Sequence, residues 1–191
     1  MKTIRTFIAV DVSAQVQAAA DAAMECLRGS GSAVNWLQPE NVHLTLKFLG
    51  EVPNVEVHAV CREVQAAVAE SGVLPFEVDC HGLGAFPDIE RARTVWFGVR
   101  DGGEPLIQLH DAIDARLPKL GFASERRRFH PHVTLGRVKC GGRERQPLVD
   151  LLRTHQDWEV GAWPISEVLI YSSTLEKGGP IYDVMGRAPL G

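Results

Sequence analysis

Hydrophobic residues follow two periods along this chain, and the two periods alternate from its start to its end. Runs rich in β-branched and aromatic residues, such as IRTFIAV at 4–10, predict strands. Stretches with apolar residues three or four apart, such as 54–70, predict helices. The expected strands lie at 4–10, 41–49, 74–80, 93–99, 130–138, 165–171 and 181–185, and the expected helices at 14–27, 54–70, 104–119 and 147–154.

This mixture of strands and helices predicts an α+β fold. Each half of the chain contains a strand, a helix and then a strand with the pattern His-x-Thr-Leu, and the two patterns start 89 residues apart. No segment has the length and composition of a linker between independent domains. We therefore expect one domain over 1–191, made of two similar lobes.

The repeated pattern comprises His43–Leu46 (HLTL) and His132–Leu135 (HVTL). Successive side chains of a strand point to opposite faces, so each copy places an imidazole and a hydroxyl side by side. The expected core-facing residues are Val42, Leu44, Leu46 and Phe48 on the first strand and Pro131, Val133 and Leu135 on the second. The expected opposite faces carry His43, Thr45 and Lys47, and His130, His132 and Thr134. If the lobes pack about a pseudo-two-fold axis, the two His/Thr pairs face each other across a cleft.

Two imidazoles and two hydroxyls suit phosphoryl chemistry. Histidine has an unperturbed pKa near 6.5, so it can accept or donate a proton at neutral pH. One imidazole can activate water and the other can protonate the leaving oxygen. The threonine hydroxyls can donate hydrogen bonds to the phosphate oxygens, where charge develops in the transition state. One such motif alone is typical of a solvated strand, whereas two matched copies favour a site.

Composition narrows the compartment and the partners. The net charge of −4 argues against binding along a long nucleic-acid duplex, because such binding needs an excess of positive charge. The four cysteines (Cys26, Cys61, Cys80 and Cys140) form no C-x-x-C pair and are expected to be reduced thiols. The first apolar run is too short for a signal peptide, and no segment approaches a membrane span. We expect a cytoplasmic monomer without cofactor, metal or obligatory protein partner.

Two longer segments carry a family resemblance. Residues 41–50 (NVHLTLKFLG) and 131–137 (PHVTLGR) resemble the signature motifs of the two-histidine phosphoesterase superfamily. Within it, the chain resembles the RNA 2′,3′-cyclic phosphodiesterases, first called 2′-5′ RNA ligases, and the segments 5–10 and 172–182 are similar as well.

The resemblance implies a bilobal α+β fold with antiparallel sheets around a central cleft. It also implies metal-independent opening of a terminal RNA 2′,3′-cyclic phosphate to a 2′-phosphate, with reversible 2′-5′ joining of RNA ends as a further expectation. By the same resemblance, His43 is the proton donor to the leaving 3′ oxygen and His132 is the base on water. The residues by themselves do not distinguish these two roles.

Two neighbours of the second motif are candidate substrate contacts, besides Thr45 and Thr134. Arg137 stands where this family often carries a phosphate-neutralising arginine; strict alternation would send it to the other face, unless Gly136 forms a bulge. His130 shares the face of His132 and is expected at the edge of the cleft, although a solvated histidine is the simpler interpretation.

Other features are less specific. The segment 125–145 holds seven Arg and Lys against two Glu, which indicates either a basic rim that attracts an RNA terminus or a solvated loop. The aromatic candidates for stacking on a base are Phe7, Trp36, Phe48 and Trp96, with a core position preferred for Phe48. His110 and Asp114, four residues apart on a predicted helix, are expected to form a surface pair.

Two alternatives to an RNA-end hydrolase remain open. One is a cyclic phosphodiesterase for small nucleotides such as ADP-ribose cyclic phosphate. The other is a non-catalytic module that binds RNA ends. The presence of both histidines and both threonines favours an enzyme over the binding module.

Overall fold

The computed structural model describes residues 2–176 and 179–191, and within these residues the chain forms nine strands and four α-helices. The strands are β1 (Thr3–Asp11), β2 (Val34–Trp36), β3 (His43–Pro53), β4 (Phe76–Phe86), β5 (Thr94–Asp101), β6 (His132–Val138), β7 (Glu159–Ile165), β8 (Glu167–Glu176) and β9 (Gly179–Pro189). The helices are α1 (Ala14–Arg28), α2 (Val57–Ser71), α3 (Gly103–Arg116) and α4 (Gln146–Thr154). The α+β class expected from the sequence is therefore confirmed.

The strands form two antiparallel sheets. Sheet I has the order β3-β1-β8-β9 and sheet II the order β2-β6-β5-β4-β7. Each sheet contains one of the two His-x-Thr-Leu strands, β3 in sheet I and β6 in sheet II. The motif strands therefore belong to different lobes, and β3 and β6 are in contact where the lobes meet.

The two lobes do not correspond to two consecutive halves of the chain. Helix α1 follows β1 of sheet I but packs on β7 of sheet II, whereas α3 follows β5 of sheet II but packs on β3 of sheet I. The last two strands return to sheet I, where β8 pairs with β1 and β9 pairs with β8. Sheet I is thus built from strands at both ends of the sequence.

The core shows why the first strand is apolar on both faces. Ile8 and Val10 belong to a large cluster that extends through both sheets and all four helices. Phe7 and Ala9 belong to a smaller cluster with Tyr171 on the other face of sheet I. We call this second face, which also carries His43, the cleft face of sheet I.

Local signals account for several element boundaries. The Ser13 side chain accepts a hydrogen bond from the amide of Val16 and caps α1, and the helix ends before Gly29 as expected. The Gly- and Pro-rich stretch 81–88 was expected to follow a strand, but β4 continues through it to Phe86. Strands β2 and β7 were not expected. In the part of the chain described, no helix has both the length and the apolar character needed to cross a bilayer.

A bulge in β3 changes which side chains reach the core. Ala9 of β1 pairs with Thr45 and Ile8 with Lys47, so Leu46 is an extra residue in β3. After such an insertion the alternation of faces is reversed, and Lys47 lies on the core side with only 2% of its surface exposed. The expected positions of Lys47 on the cleft face and of Phe48 in the core are therefore both wrong. Phe48 pairs with Phe7 and is 57% exposed.

Candidate active site

The two motif histidines are held by the same local hydrogen bond. His43 Nδ1 lies 2.7 Å from the carbonyl oxygen of Asn41, and His132 Nδ1 lies 2.7 Å from that of His130. A carbonyl oxygen only accepts hydrogen bonds, so Nδ1 carries the hydrogen in both rings. In each ring Nε2 is consequently the atom that can take up or release a proton.

His43 lies among aromatic side chains of the cleft face of sheet I. The Phe7 ring stacks on it with centroids 4.7 Å apart, and the Tyr182 ring meets it edge-on at 5.4 Å. Burial lowers the pKa of His43, whereas the Asn41 hydrogen bond and the charge of Asp11 oppose this change. Asp11 is held in place because the hydroxyl of Tyr171 donates a hydrogen bond to its carboxylate.

His132 has a corresponding aromatic environment in sheet II. The Phe86 ring meets it edge-on with centroids 4.9 Å apart, and the Trp96 ring lies at 6.3 Å. Burial lowers the pKa of His132 and the His130 carbonyl opposes this, but the charges of His130 and Arg137 lower the pKa further. The electrostatic neighbours of the two imidazoles therefore differ: the carboxylate of Asp11 lies near His43, and the guanidinium of Arg137 and a second imidazole lie near His132.

Thr45 and Thr134 lie two residues after the histidines and on the same faces. Thr45 pairs with Ala9 of the cleft face, and Thr134 pairs with Trp96. Both side chains are half-buried. Across residues 2–176 and 179–191, neither hydroxyl has a protein hydrogen-bond partner, so both are available to a ligand.

Arg137 reaches the cleft because β6 contains a bulge. Trp96 pairs with Thr134 and Val95 with Gly136, which leaves Leu135 as the extra residue. Arg137 therefore points to the same face as Thr134, which is the orientation expected if a bulge forms next to Gly136. The charge of Arg137 is a minor cause that lowers the pKa of His132, after burial, and it also opposes the burial that raises the pKa of Tyr182, the ring that contacts His43.

His130 contributes mainly through its backbone carbonyl, which fixes the ring of His132. Its imidazole meets the rings of Phe86 at 5.7 Å and Trp96 at 5.6 Å and is otherwise exposed. Among the residues that the structure describes, no three His, Cys, Asp or Glu side chains form a cluster suited to a metal ion.

Several residues around the site had no clear signal in the sequence. Phe7 is 3% exposed and stacks on His43, so it cannot stack on a base. Trp96 is half-buried beside His132, and a stacking role for it stays a prediction. Asp11, Tyr171 and Phe86 were not expected at the site at all. An aromatic or acidic residue at the end of a strand has no local feature that identifies its neighbours in another strand.

The expected surface pair of His110 and Asp114 is wrong as well. His110 is 3% exposed, and its Nδ1 donates a hydrogen bond to the carbonyl oxygen of Leu46, the extra residue of the β3 bulge. The ammonium of Lys47 donates to Asp114 Oδ1 at 2.6 Å. Helix α3 therefore binds directly to the bulge that follows the first motif.

Comparison with known proteins is consistent with this geometry. The family model described as the 2′-5′ RNA ligase superfamily matches residues 10–175. A curated protein of Aeropyrum pernix, named RNA 2′,3′-cyclic phosphodiesterase, is 38% identical over 82% of this chain and 86% of its own length. One of the same name from Methanothermobacter thermautotrophicus is 36% identical over 95% of this chain and 96% of its own.

Solved structures share the fold over the whole chain. A crystal structure from Thermus thermophilus superposes with a TM-score of 0.76 at 26% identity and covers 98% of each chain. The apo structure of Escherichia coli LigT superposes with a TM-score of 0.77 at 23% identity and covers 100% of this chain and 99% of the other.

Proposed function

The chain belongs to the 2′-5′ RNA ligase superfamily, and from this premise we propose that it hydrolyses the 2′,3′-cyclic phosphate at the 3′ end of RNA to a 2′-phosphate. One observation supports the chemistry most directly. Two imidazoles, one in each lobe, have Nδ1 fixed by a backbone carbonyl and Nε2 free for proton transfer. The names of the curated relatives supply the substrate class.

The proposed reaction is an in-line displacement at phosphorus. Nε2 of one histidine accepts a proton from water as the water oxygen attacks, and Nε2 of the other donates a proton to the departing 3′ oxygen. The P–O3′ bond breaks, and the 2′ oxygen keeps the phosphate. The hydroxyls of Thr45 and Thr134 and the guanidinium of Arg137 stabilise the charge on the phosphate oxygens. These groups supply the acid, the base and the positive charge from the protein itself, so we propose a metal-independent reaction.

The electrostatic difference between the two histidines supports an assignment of roles. Asp11 favours the protonated form of His43, whereas His130 and Arg137 favour the neutral form of His132. We therefore propose His43 as the acid and His132 as the base. If a 5′-hydroxyl of RNA attacks in place of water, its proton goes to the base, the P–O3′ bond breaks in the same way, and the product is a 2′-5′ phosphodiester. The same residues can therefore catalyse end joining, and the reverse of this step re-forms the cyclic phosphate.

The test uses an oligoribonucleotide that ends in a 2′,3′-cyclic phosphate. We expect the purified protein to open the ring in EDTA and to release a 2′-phosphate, identified by ³¹P NMR. His43→Gln and His132→Gln keep a polar group but cannot transfer a proton, and each is expected to lose about 10²-fold or more in kcat. His58→Gln, the same change at an exposed histidine of α2, is the matched control.

Each alternative predicts a different result. Tight binding without turnover would indicate an RNA-end binding module, and loss of activity in EDTA would indicate a metal mechanism. A preference for ADP-ribose cyclic phosphate over RNA would indicate a small-nucleotide enzyme. For the assignment of roles, a substrate with sulfur at the 3′ bridging position needs no acid, so it should restore His43→Gln but not His132→Gln.

We propose further that residues 1–191 form one two-lobed domain that acts as a cytoplasmic monomer. A single hydrophobic cluster extends through both sheets, which supports one cooperative domain. All four cysteines are free thiols, in keeping with a reducing compartment.

A further inference from the structure

Three consecutive arginines precede the second motif in a segment without helix or strand. Arg126, Arg127 and Arg128 are all exposed, and no carboxylate in the described part of the chain pairs with them. The only acidic residue between 121 and 131 is Glu125, and its carboxylate is directed to Lys47 at 4.0 Å. Three adjacent like charges are therefore left without local compensation.

Two side chains of α3 fix both ends of this arginine segment. On the N-terminal side, the carboxylate of Asp114 accepts a hydrogen bond from the amide of Glu125 at 3.1 Å. On the C-terminal side, the ring of His110 stacks on that of Phe129, with centroids 4.3 Å apart and planes inclined by 7°. His110 and Asp114 lie one helical turn apart, so the helix sets the spacing of the two attachment points.

The attachment points are themselves fixed to the first motif strand. Lys47 donates hydrogen bonds to Asp114 and, at 3.1 Å, to the carbonyl oxygen of Ala123, and His110 donates to Leu46. The arginine segment is thus held in a defined place next to the strand that begins with His43. A merely solvated loop would need neither a buried lysine nor a stacked aromatic pair.

The segment leads directly into the active site. Arg128, Phe129, His130 and Pro131 line one cavity of about 410 Å³ together with Ile107 of α3. His132, whose ring is held by the His130 carbonyl, follows this cavity immediately. Arg128 and His130 therefore line one cavity, and Arg126 and Arg127 are the next two residues along the chain.

We propose that Arg126, Arg127 and Arg128 bind backbone phosphates of a single-stranded RNA, on the 5′ side of its 3′-terminal nucleotide. The inference rests on the proposed function and specifies its substrate as an oligoribonucleotide and not a small nucleotide. Fixing three like charges close together is unfavourable in the free protein, and an RNA backbone removes this repulsion and releases its own counterions.

The experiment compares a nucleoside 2′,3′-cyclic phosphate with a six-nucleotide RNA that has the same 3′ end. The triple variant Arg126→Gln, Arg127→Gln, Arg128→Gln should retain kcat/KM for the mononucleotide within about two-fold. For single strands the logarithm of the binding constant falls with log salt by about 0.7 per contacted phosphate. With three contacts, the binding constant of wild type for the hexamer should fall roughly 20-fold between 50 and 200 mM salt. The binding constant of the triple variant should depend much less on salt.

The control removes three positive charges elsewhere: Arg28→Gln, Arg62→Gln, Arg153→Gln on exposed positions of α1, α2 and α4. An equal effect of both triple variants on the hexamer would overturn the proposal, because net charge and not the segment would then be responsible. If the variant of the arginine segment lost kcat/KM equally for the mononucleotide and for the hexamer, that result would overturn the proposal too. If wild type opens no cyclic phosphate, the proposed function fails, and fluorescence anisotropy with a labelled hexamer still tests the arginine segment.

Discussion

The buried ion pair between Lys47 and Asp114 gives a quantitative test of the β3 bulge. Lys47 is 2% exposed and Asp114 15%, and their nitrogen and oxygen lie 2.6 Å apart. Removing one partner of such a pair typically costs about 3–5 kcal/mol, because the other charge stays buried without compensation. The two single substitutions should not be equivalent, since the remaining charge differs in its exposure and its other contacts.

Lys47→Met leaves a carboxylate that is still partly solvated and still bonded to the Glu125 amide. We expect this variant to lose about 3 kcal/mol of unfolding free energy, the lower limit of that range, which lowers Tm by roughly 6–12 °C for a chain of this size. Asp114→Ala leaves a buried ammonium with only the Ala123 carbonyl oxygen at 3.1 Å and the exposed Glu125 carboxylate at 4.0 Å. The amide of Glu125 loses its acceptor at the same time. We expect about 5 kcal/mol for this change. The double variant Lys47→Met, Asp114→Leu removes both charges and should recover most of the lost stability.

The stability contributed by the Lys47–Asp114 pair should decrease as the pH falls. Burial would raise the pKa of Asp114, but the hydrogen bonds from Lys47 and the Glu125 amide, with the charges of Lys47 and His110, hold it below its usual value. A carboxyl with a lowered pKa in the folded state stabilises the protein above its unfolded pKa of about 3.9 and loses this contribution as pH falls through the folded pKa. Lys47→Met removes the main cause of the lowering. The stability difference between wild type and Lys47→Met should therefore narrow from pH 6 to pH 3.

Urea unfolding followed by circular dichroism measures both quantities at each pH. If Lys47 pointed into the cleft, as strict strand alternation requires, Lys47→Met would leave stability nearly unchanged, within about 0.5 kcal/mol. That result, or a stability difference that stays constant down to pH 3, would refute the buried pair. Arg116→Met is a suitable comparison on the same helix, because its ion pairs with Glu63 and Glu70 involve α2 and not the motif strand.

Three further predictions concern the cleft. Phe48→Ala should leave Tm unchanged, because the ring is 57% exposed. If a base stacks on the ring, at about 1–3 kcal/mol, the substitution should lower kcat/KM on RNA roughly 5- to 150-fold. Leu74→Ala, at an apolar residue that is 68% exposed, is the control, and unchanged kinetics of Phe48→Ala would contradict a stacking role. Gly84→Ala should reduce kcat about 10²-fold, because its new Cβ would lie 2.3 Å from the Trp96 ring and would displace a ring that packs 6.3 Å from that of His132. A wild-type kcat would show that the ring can move without disturbing the histidine. The pKa values of both motif histidines are lowered, so the pH profile of kcat/KM should be bell-shaped with its maximum below about pH 6.5. The maximum of the kcat profile should lie at higher pH, because a bound phosphate favours imidazolium. A flat profile between pH 5 and 9 would argue against the acid–base pair.

The elements with a strong periodic pattern were predictable from the sequence. β1, α1, α2 and α3 were all expected close to their observed positions, because each presents a continuous apolar run or stripe to the core. β2 and β7 were not. β2 has only three residues, and β7, EVGAWPI, contains a glycine and a proline that are unusual within strands.

The composition of the site was predictable where it depended on spacing within one strand. A separation of two residues places His43 beside Thr45 and His132 beside Thr134 in any regular strand, and the structure keeps both pairs together. The aromatic residues around the histidines were not predictable in this way. Tyr182 reaches His43 only because β8 pairs with β1, at the opposite end of the chain, and β9 pairs with β8.

The repeated His-x-Thr-Leu pattern by itself determined the kind of chemistry, because side-chain alternation along a strand is a local property. Tertiary structure decided which neighbouring side chains belong to the site. The extra residues Leu46 and Leu135 reverse the alternation, so Lys47 turns into the core while Phe48 and Arg137 turn outward. A bulge forms where two strands of different local length must stay paired, and that mismatch exists only after distant segments have come together.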